Sequence, residues 1–255
     1  MIACSLQSGS NGNCTYVETG DIRFLIDAGI SGIQTEKRLR GIGRDIREVD
    51  FVLISHDHSD HVKCSGILSR KYNLDIFMTE KTCRRIEKRG SCGRFGRIRH
   101  FRAGEKIRLG GTSIETVPTP HDCEDGVAFI IDDSRNRMGV LTDLGHVFTG
   151  LEEVVETLDG VILESNYDAS MLENGPYPAF LKRRIDGNSG HISNTESAGL
   201  LLKGFGSRLR WACLAHLSGQ NNSPFTALAT HRAVLGEGRK LSVAGRYEPS
   251  GVLSL

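Results

Sequence analysis

Apolar residues along this chain come in short, β-branched runs. The runs at 15–18, 22–26, 50–54, 76–78, 127–131, 138–141, 161–163 and 211–215 are too short for helices and predict strands. Helical spacing appears between them, at 34–40, 80–88, 151–157, 177–185, 196–204 and 224–235. Strands clustered in each half with helices interleaved predict an α/β architecture: two mixed β-sheets packed face to face, helices outside. The 255 residues suit one large domain over 1–255, and no short repeat or low-complexity linker divides them. Ser8-Gly9-Ser10-Asn11-Gly12-Asn13 predicts a tight turn early in the chain.

Composition narrows the function class only slightly. With 38% hydrophobic and 25% charged residues the chain has the make-up of an ordinary globular protein. A net charge of +1 means that any polyanion must be held by a local patch. Seven scattered cysteines without a C-x-x-C pair fit neither a disulfide framework nor a thiolate zinc knot and read as reduced thiols. The first residues carry no basic stretch followed by an apolar core, and no apolar run is long enough for a bilayer. These features together predict a cytoplasmic protein without membrane contact.

The chemistry concentrates where the apolar run Phe51-Val52-Leu53-Ile54 leads through Ser55 into His56-Asp57-His58-Ser59-Asp60-His61. Three histidines and two aspartates within six residues are not what a core requires. While the chain is still extended, His56 and His58 point to one side and can grip one ion. A turn just beyond would direct Asp60 and His61 toward a second. Four ligands leave both ions under-coordinated, so more are expected at other strand ends. His121 follows Val117-Pro118-Thr119-Pro120, whose prolines stiffen the loop, and would complete the first site. Asp143 ends the run Val140-Leu141-Thr142, and its two oxygens can bridge two cations. His216 ends Trp211-Ala212-Cys213-Leu214-Ala215 and would complete the second site, with Cys213 turned into the core. His100, His146 and His231 are expected at the surface.

The series H-x-H-x-D-H, a lone histidine, an aspartate and a final histidine resembles the ligand set of the metallo-β-lactamase superfamily, over nearly the whole chain. The resemblance implies an αββα sandwich and a dinuclear hydrolase. It also implies a role for Asp27, in Leu25-Ile26-Asp27-Ala28-Gly29, as a carboxylate that supports the metal loop by hydrogen bonds; as a residue in a turn it has an equally plain reading. Two ions about 3.5–4 Å apart would lower the pKa of a shared water and supply a bridging hydroxide as nucleophile near neutral pH. Imidazole and carboxylate ligands suit zinc, manganese or iron.

Donor-rich segments bear on the substrate. Asn13, Asn166, Ser193, Asn194, Asn221 and Asn222 carry neutral amides or hydroxyls that suit a phosphate beside metals. Asn13, Asn166 and Asp168 also read as turn formers, and Ser193 or Asn194 as a helix N-cap. His191, in Gly190-His191-Ile192-Ser193-Asn194, is a candidate to bind phosphate or to protonate the leaving oxygen, and with Asp60 forms the candidate catalytic pair. In order and wording these segments are similar to the YycJ/WalJ group of the superfamily and, more distantly, to the PhnP-type phosphodiesterases. That similarity implies a 5′-to-3′ exonuclease acting on DNA. A phosphodiesterase for small cyclic nucleotides is the alternative, followed by a thioester or lactam hydrolase. Ten Lys and Arg against Glu87 and Glu105 within residues 84–108 form either a strip for nucleic acid or a solvated basic face. The interval from Asp143 to His216 leaves no room for the domain inserted in β-CASP ribonucleases, and no motif of the tRNA-processing relatives is visible.

Overall fold

The computed structural model describes residues 1–255 and contains two seven-stranded sheets. The first holds β1 (Ile2–Gln7), β2 (Cys14–Glu18), β3 (Arg23–Ile26), β4 (Phe51–Leu53), β5 (Asp75–Thr79) and β6 (Arg97–Phe101). The second holds β7 (Lys106–Leu109), β8 (Thr112–Pro118), β9 (Val127–Asp132), β10 (Arg137–Leu141), β11 (Gly160–Glu164), β12 (Trp211–Ala215) and β13 (Leu241–Val243). A last strand, β14 (Leu253–Ser254), returns to the outer edge of the first sheet beside β1.

Each sheet is built the same way. β1, β2 and β3 pair antiparallel, and β4, β5 and β6 are then added in parallel. In the second sheet β7 to β10 form the antiparallel part, and β11, β12 and β13 the parallel part. The parallel additions require crossovers, which the helices supply. These are α1 (Gly32–Gly41), α2 (Ser59–Val62), α3 (Ser65–Tyr72) and α4 (Glu80–Arg89) against the first sheet. α5 (Leu151–Glu156), α6 (Ala169–Asn174), α7 (Ala179–Ile185), α8 (Asn194–Gly206) and α9 (Pro224–Leu235) follow the antiparallel part of the second.

Strands covered on both faces explain the short apolar runs. In β4, Phe51 and Leu53 face the other sheet, whereas Val52 and the following Ile54 face the helices. The inner layer joins Phe24, Phe51 and Phe77 of the first sheet to Phe129 and Trp211 of the second, with the Phe24 and Phe51 rings stacked at 5.0 Å. Further apolar layers seat α1, α3 and α4 on one outer face and α5, α8 and α9 on the other. The αββα sandwich inferred from the ligand pattern is thus the observed architecture. No helix is long and apolar enough to cross a membrane.

Six strands lie outside the predicted set: β1, β6, β7, β8, β13 and β14. β6, β7 and β13 lie toward sheet edges, and polar or charged residues alternate along β6 to β8. His231 is a correction: it is fully buried, with Nδ1 2.8 Å from Ala227 O and Nε2 3.2 Å from Ser197 Oγ, which locks α9 to α8. His100 is exposed and His146 half-buried.

Candidate metal centre

The strands that deliver chemistry run in a common direction within each sheet, and the delivered residues lie at or just past their C-terminal ends. β1, β3 and β4 lead to Asn13, Asp27 and the His56–His61 loop; β8, β10, β11 and β12 lead to His121, Asp143, Glu164 and His216. Open α/β sheets bind ligands at that edge. The β4 register holds the chain extended through Ile54, whose N–H donates to Phe77 O at 2.8 Å. His58 caps α2 with extended backbone, and that turn brings Asp60 and His61 back toward the cluster. Backbone bonds fix the loop: Asn13 N donates to Asp60 O at 2.7 Å and Ala28 N to His61 O at 2.6 Å. Gly29 must be glycine here, because a Cβ would fall 1.6 Å from Asp60 O.

Six histidines pack into the cleft, with the rings of His56 and His61 at 4.1 Å, His121 and His191 at 5.0 Å, and His191 and His216 at 5.3 Å. Their donor atoms sort into overlapping sets whose members lie within 4.8 Å of one another: His56, His58 and His121; Asp60, His61 and His216; His56, His61 and Asp143; and Asp143, Glu164, His191 and His216. All seven ligands expected from the sequence therefore converge. The first two sets are the two triads that the strand-end argument drew, and Asp143 lies between them.

Three of the imidazoles are oriented from behind, and a fourth histidine is fixed through its backbone. His61 Nδ1 lies 2.7 Å from Asp27 Oδ2, which puts the proton on Nδ1 and turns Nε2 to the cluster. His121 Nδ1 donates to Gly190 O at 2.8 Å, leaving Nε2 toward Asp143. His56 Nδ1 meets Ser55 Oγ at 2.9 Å, and the same hydroxyl bonds Asp27. Asn166 Nδ2 donates to the His216 carbonyl at 2.7 Å. Asp27, Asp143 and His216 have φ of 65°, 57° and 56°, the left-handed region that costs a non-glycine residue about 1–2 kcal/mol. Such strain collects at functional sites.

His56 Nε2, His216 Nε2 and Asp143 Oδ2 are buried without a hydrogen-bond partner. An unsatisfied buried polar atom costs about 1–3 kcal/mol, and three within one cluster of ligand groups fit cations as the missing partners. Imidazole and carboxylate without thiolate suit divalent metal ions.

The electrostatics agree. Burial pushes His56 well below its usual range, and neighbouring His61 and His58 add to this; burial also lowers His121. Burial opposes charge on His216 as well, yet Asp143, Asp60 and Glu164 outweigh it and push the imidazole up to about 10. His61 is likewise raised, against burial, by Asp27, Asp143 and Asp60. Burial works against ionised Asp60 and Glu164, but His61 and His216 hold the first low, and His191 and His216 the second. These carboxylates demand positive charge, which protons on His61 and His216 or bound cations can supply.

The cluster opens into a cavity of about 510 Å³ whose polar walls include Ser10, His58, Asp60, Asp143, His191 and His216, with Arg89, Asp122 and Arg184 at its rim. His191 Nδ1 lies 2.6 Å from Glu164 Oε1. Glu164 is the residue that sequence reasoning missed: fully buried, it also accepts Leu144 N at 3.0 Å. It ends an apolar strand, as Asp143 nearly does, which was the available signal. Ser55, which joins Asp27 to His56, was missed as well.

The six expected substrate donors stand apart from the cavity wall. None of them lines the cavity, and all are buried, with their polar groups engaged by the protein except Asn221 Oδ1, which has no partner. Asn13 Nδ2 reaches Asp60 Oδ2 at 3.2 Å and His61 Nε2 at 2.9 Å, so it braces the loop. Ser193 caps α8 in a reciprocal box with Glu196. Asn194 and Asn222 bond each other, Asn222 Nδ2 donates to Ser165 O at 2.9 Å, and Asn221 N donates to Ser218 Oγ at 3.2 Å. Asp168 caps α6. The basic strip is also less free than its count suggests. Arg84 pairs with Glu80, Arg97 and Arg99 with Asp75, and Arg89 with the buried Asp57 at 2.7 Å; of the ten cations, Arg89 alone lines the cavity.

Residues 22–212 match the beta-lactamase superfamily domain. The chain is 36% identical over 219 residues to the exodeoxyribonuclease WalJ of Streptococcus pneumoniae, covering 85% of this chain and 81% of that protein. It is 32% identical over 232 residues to the exodeoxyribonuclease YycJ of Bacillus anthracis, covering 91% and 88%. Among solved structures, the metallo-beta-lactamase fold protein YhfI from Bacillus subtilis superposes with a TM-score of 0.74 at 16% identity, over 99% of this chain and 98% of that one. By the superfamily match and by both relatives, the chain belongs to the beta-lactamase superfamily, alongside the WalJ and YycJ proteins.

Proposed function

We propose that this protein is a cytoplasmic, metal-dependent 5′-to-3′ DNA exonuclease acting through two divalent ions of zinc, manganese or iron. The convergence of seven imidazole and carboxylate ligands, three of them ending in unpartnered buried atoms, carries the reading. The names of the WalJ and YycJ relatives supply the substrate class. His56, His58 and His121 would hold one ion, Asp60, His61 and His216 the other, and Asp143 would lie between them. Ions so held would polarise a phosphoryl oxygen and lower the pKa of water.

The chain's own side chains do the rest. Asp60, whose side chain is 19% exposed and lines the cavity, would orient the attacking water. Glu164 holds His191 by Nδ1, which leaves Nε2 to give a proton to the leaving oxygen. Arg89 and Arg184 place positive charge at the rim, where neighbouring phosphates would lie. The test is digestion of end-labelled single- and double-stranded DNA with manganese, magnesium or zinc. Stepwise loss from the 5′ end, abolished in His56→Ala and Asp143→Asn, is expected; intact DNA with every metal, or full activity in those variants, refutes the proposal.

A further inference from the structure

Beside the cavity stands a short, shallowly seated helix, with Leu181, Lys182 and Ile185 half-buried and its other residues exposed. None of the seven residues of α7 is buried, and Phe180 presents a ring that is 68% exposed. A helix so shallowly seated gains little stability from an apolar face, so hydrogen bonds to neighbouring segments help to place it. Lys182 Nζ donates to Glu173 O at 2.6 Å, and His191 N donates to Ile185 O at 2.9 Å. Gly190 lets the last turn close in, since a Cβ there would lie 2.2 Å from the carbonyl oxygens of Arg184 and Ile185. The helix is thus fastened to the segment that carries His191.

Its side chains form a graded path out of the cleft. Arg184 lines the cavity, held by Asp122 through Nε at 2.6 Å, while 59% of its side chain stays exposed. Phe180 lies four residues earlier on the same helical face, its Cβ about 5–6 Å from that of Arg184, and is not among the residues that line the cavity. Arg183 stands three residues after Phe180, exposed and outside every ion pair. An aromatic face flanked by guanidinium groups is the chemistry that holds single-stranded nucleic acid: bases stack on the ring and phosphates meet the cations.

From this we infer that α7 is the strand-holding element of the enzyme: Phe180 stacks a base a nucleotide or so beyond the scissile bond, and Arg183 and Arg184 hold the adjoining phosphates. The inference rests on the reading of the protein as a DNA nuclease. The occupant is single-stranded DNA rather than a protein, because the exposed ring sits in a basic turn, Lys182-Arg183-Arg184, with no acidic residue on the helix.

The experiment compares the metal-loaded enzyme with Phe180→Ala, Phe180→Tyr and Arg183→Ala, on a single-stranded 20-mer and on bis(p-nitrophenyl) phosphate, which is too short to extend from the cavity to Phe180. In Phe180→Ala the KM for the strand, relative to that for the small diester, should rise about ten-fold, and Phe180→Tyr should restore it. Arg183→Ala should reduce the slope of log KM for the strand against log salt by about 0.7. If wild type degrades the strand and the Phe180→Ala ratio stays within two-fold of it, the role of α7 is overturned and the nuclease reading stands. If wild type hydrolyses the small diester and leaves every DNA strand intact, the nuclease reading fails and α7 loses its occupant with it.

Discussion

Replacing Asp27 with asparagine isolates what a single carboxylate behind the metal loop contributes. Its oxygens accept Ser55 N and Ser55 Oγ, each at 2.9 Å, and His61 Nδ1 at 2.7 Å. Asparagine keeps the size and tolerates the left-handed backbone at φ 65°, so the fold is spared. The amide nitrogen would, however, face the Nδ1 proton of His61. To avoid two donors meeting, the imidazole must move its proton to Nε2, the atom aimed at Asp60 and Asp143. One charge-assisted bond, worth about 1.5–3 kcal/mol, is lost from the metal-competent tautomer. That corresponds to roughly 10–150-fold in affinity, in line with the about 10–100-fold typical of such supporting partners. Chelator competition with zinc, read as two binding constants, should show the loss at the site of His61 and at most a small change at the site of His58 and His121. Wild-type affinity at both sites, or equal loss at both, would refute the reasoning.

Metal uptake should release protons. His216 is raised to about 10, so it is protonated at pH 8 until a cation displaces the proton, and the carboxylates around His61 raise it in the same direction. The stabilisation from these protonated imidazoles is complete below the unfolded value near 6.5 and is lost as pH climbs toward 10. Calorimetric zinc titrations at pH 8 in buffers of different ionisation enthalpy should therefore give different heats, and identical heats would contradict the assignment. Ser193→Ala removes the α8 cap and should lower Tm by about 2–4 °C, with kcat/KM on DNA within two-fold of wild type; a larger loss of activity would return Ser193 to the list of substrate contacts. Gly29→Ala should abolish metal retention, because its Cβ would displace Asp60 O, while Gly20→Ala, with nothing within 4 Å, should melt and bind metal as wild type does.

How far the sequence speaks depends on whether a residue's type already implies its direction. The ligands were legible because His56 to His61 crowd one strand end, because Asp143 and His216 each follow an apolar run that marks where a strand stops, and because Pro118 and Pro120 mark the loop that carries His121. The asparagines were misread because an amide looks the same whether it meets a phosphate or, as Asn222 does, a buried neighbour. Glu164 escaped notice inside a segment valued for its neutral donors. Arg97, Ile98, Arg99, His100 and Phe101 alternate as an edge strand should, but their charge drew attention first, and β6 was read as part of a basic surface. α3 has few apolar residues of its own and is set by what lies beneath it, Leu68 in the outer layer of the first sheet.

The matching construction of the two sheets leaves a trace at the level of single residues. β3 and β10 are the strands at which each half changes from antiparallel to parallel pairing. Each is followed by aspartate, one residue, then glycine: Asp27-Ala28-Gly29 and Asp143-Leu144-Gly145, with both aspartates left-handed. One corner is thus used twice, once to steer an imidazole and once to face the ions. Because the halves meet at the Arg102–Glu105 turn, His56 to His61 belong to one and His121, Asp143 and His216 to the other. Neither triad survives a cut at that turn, so the reaction centre is a property of the seam.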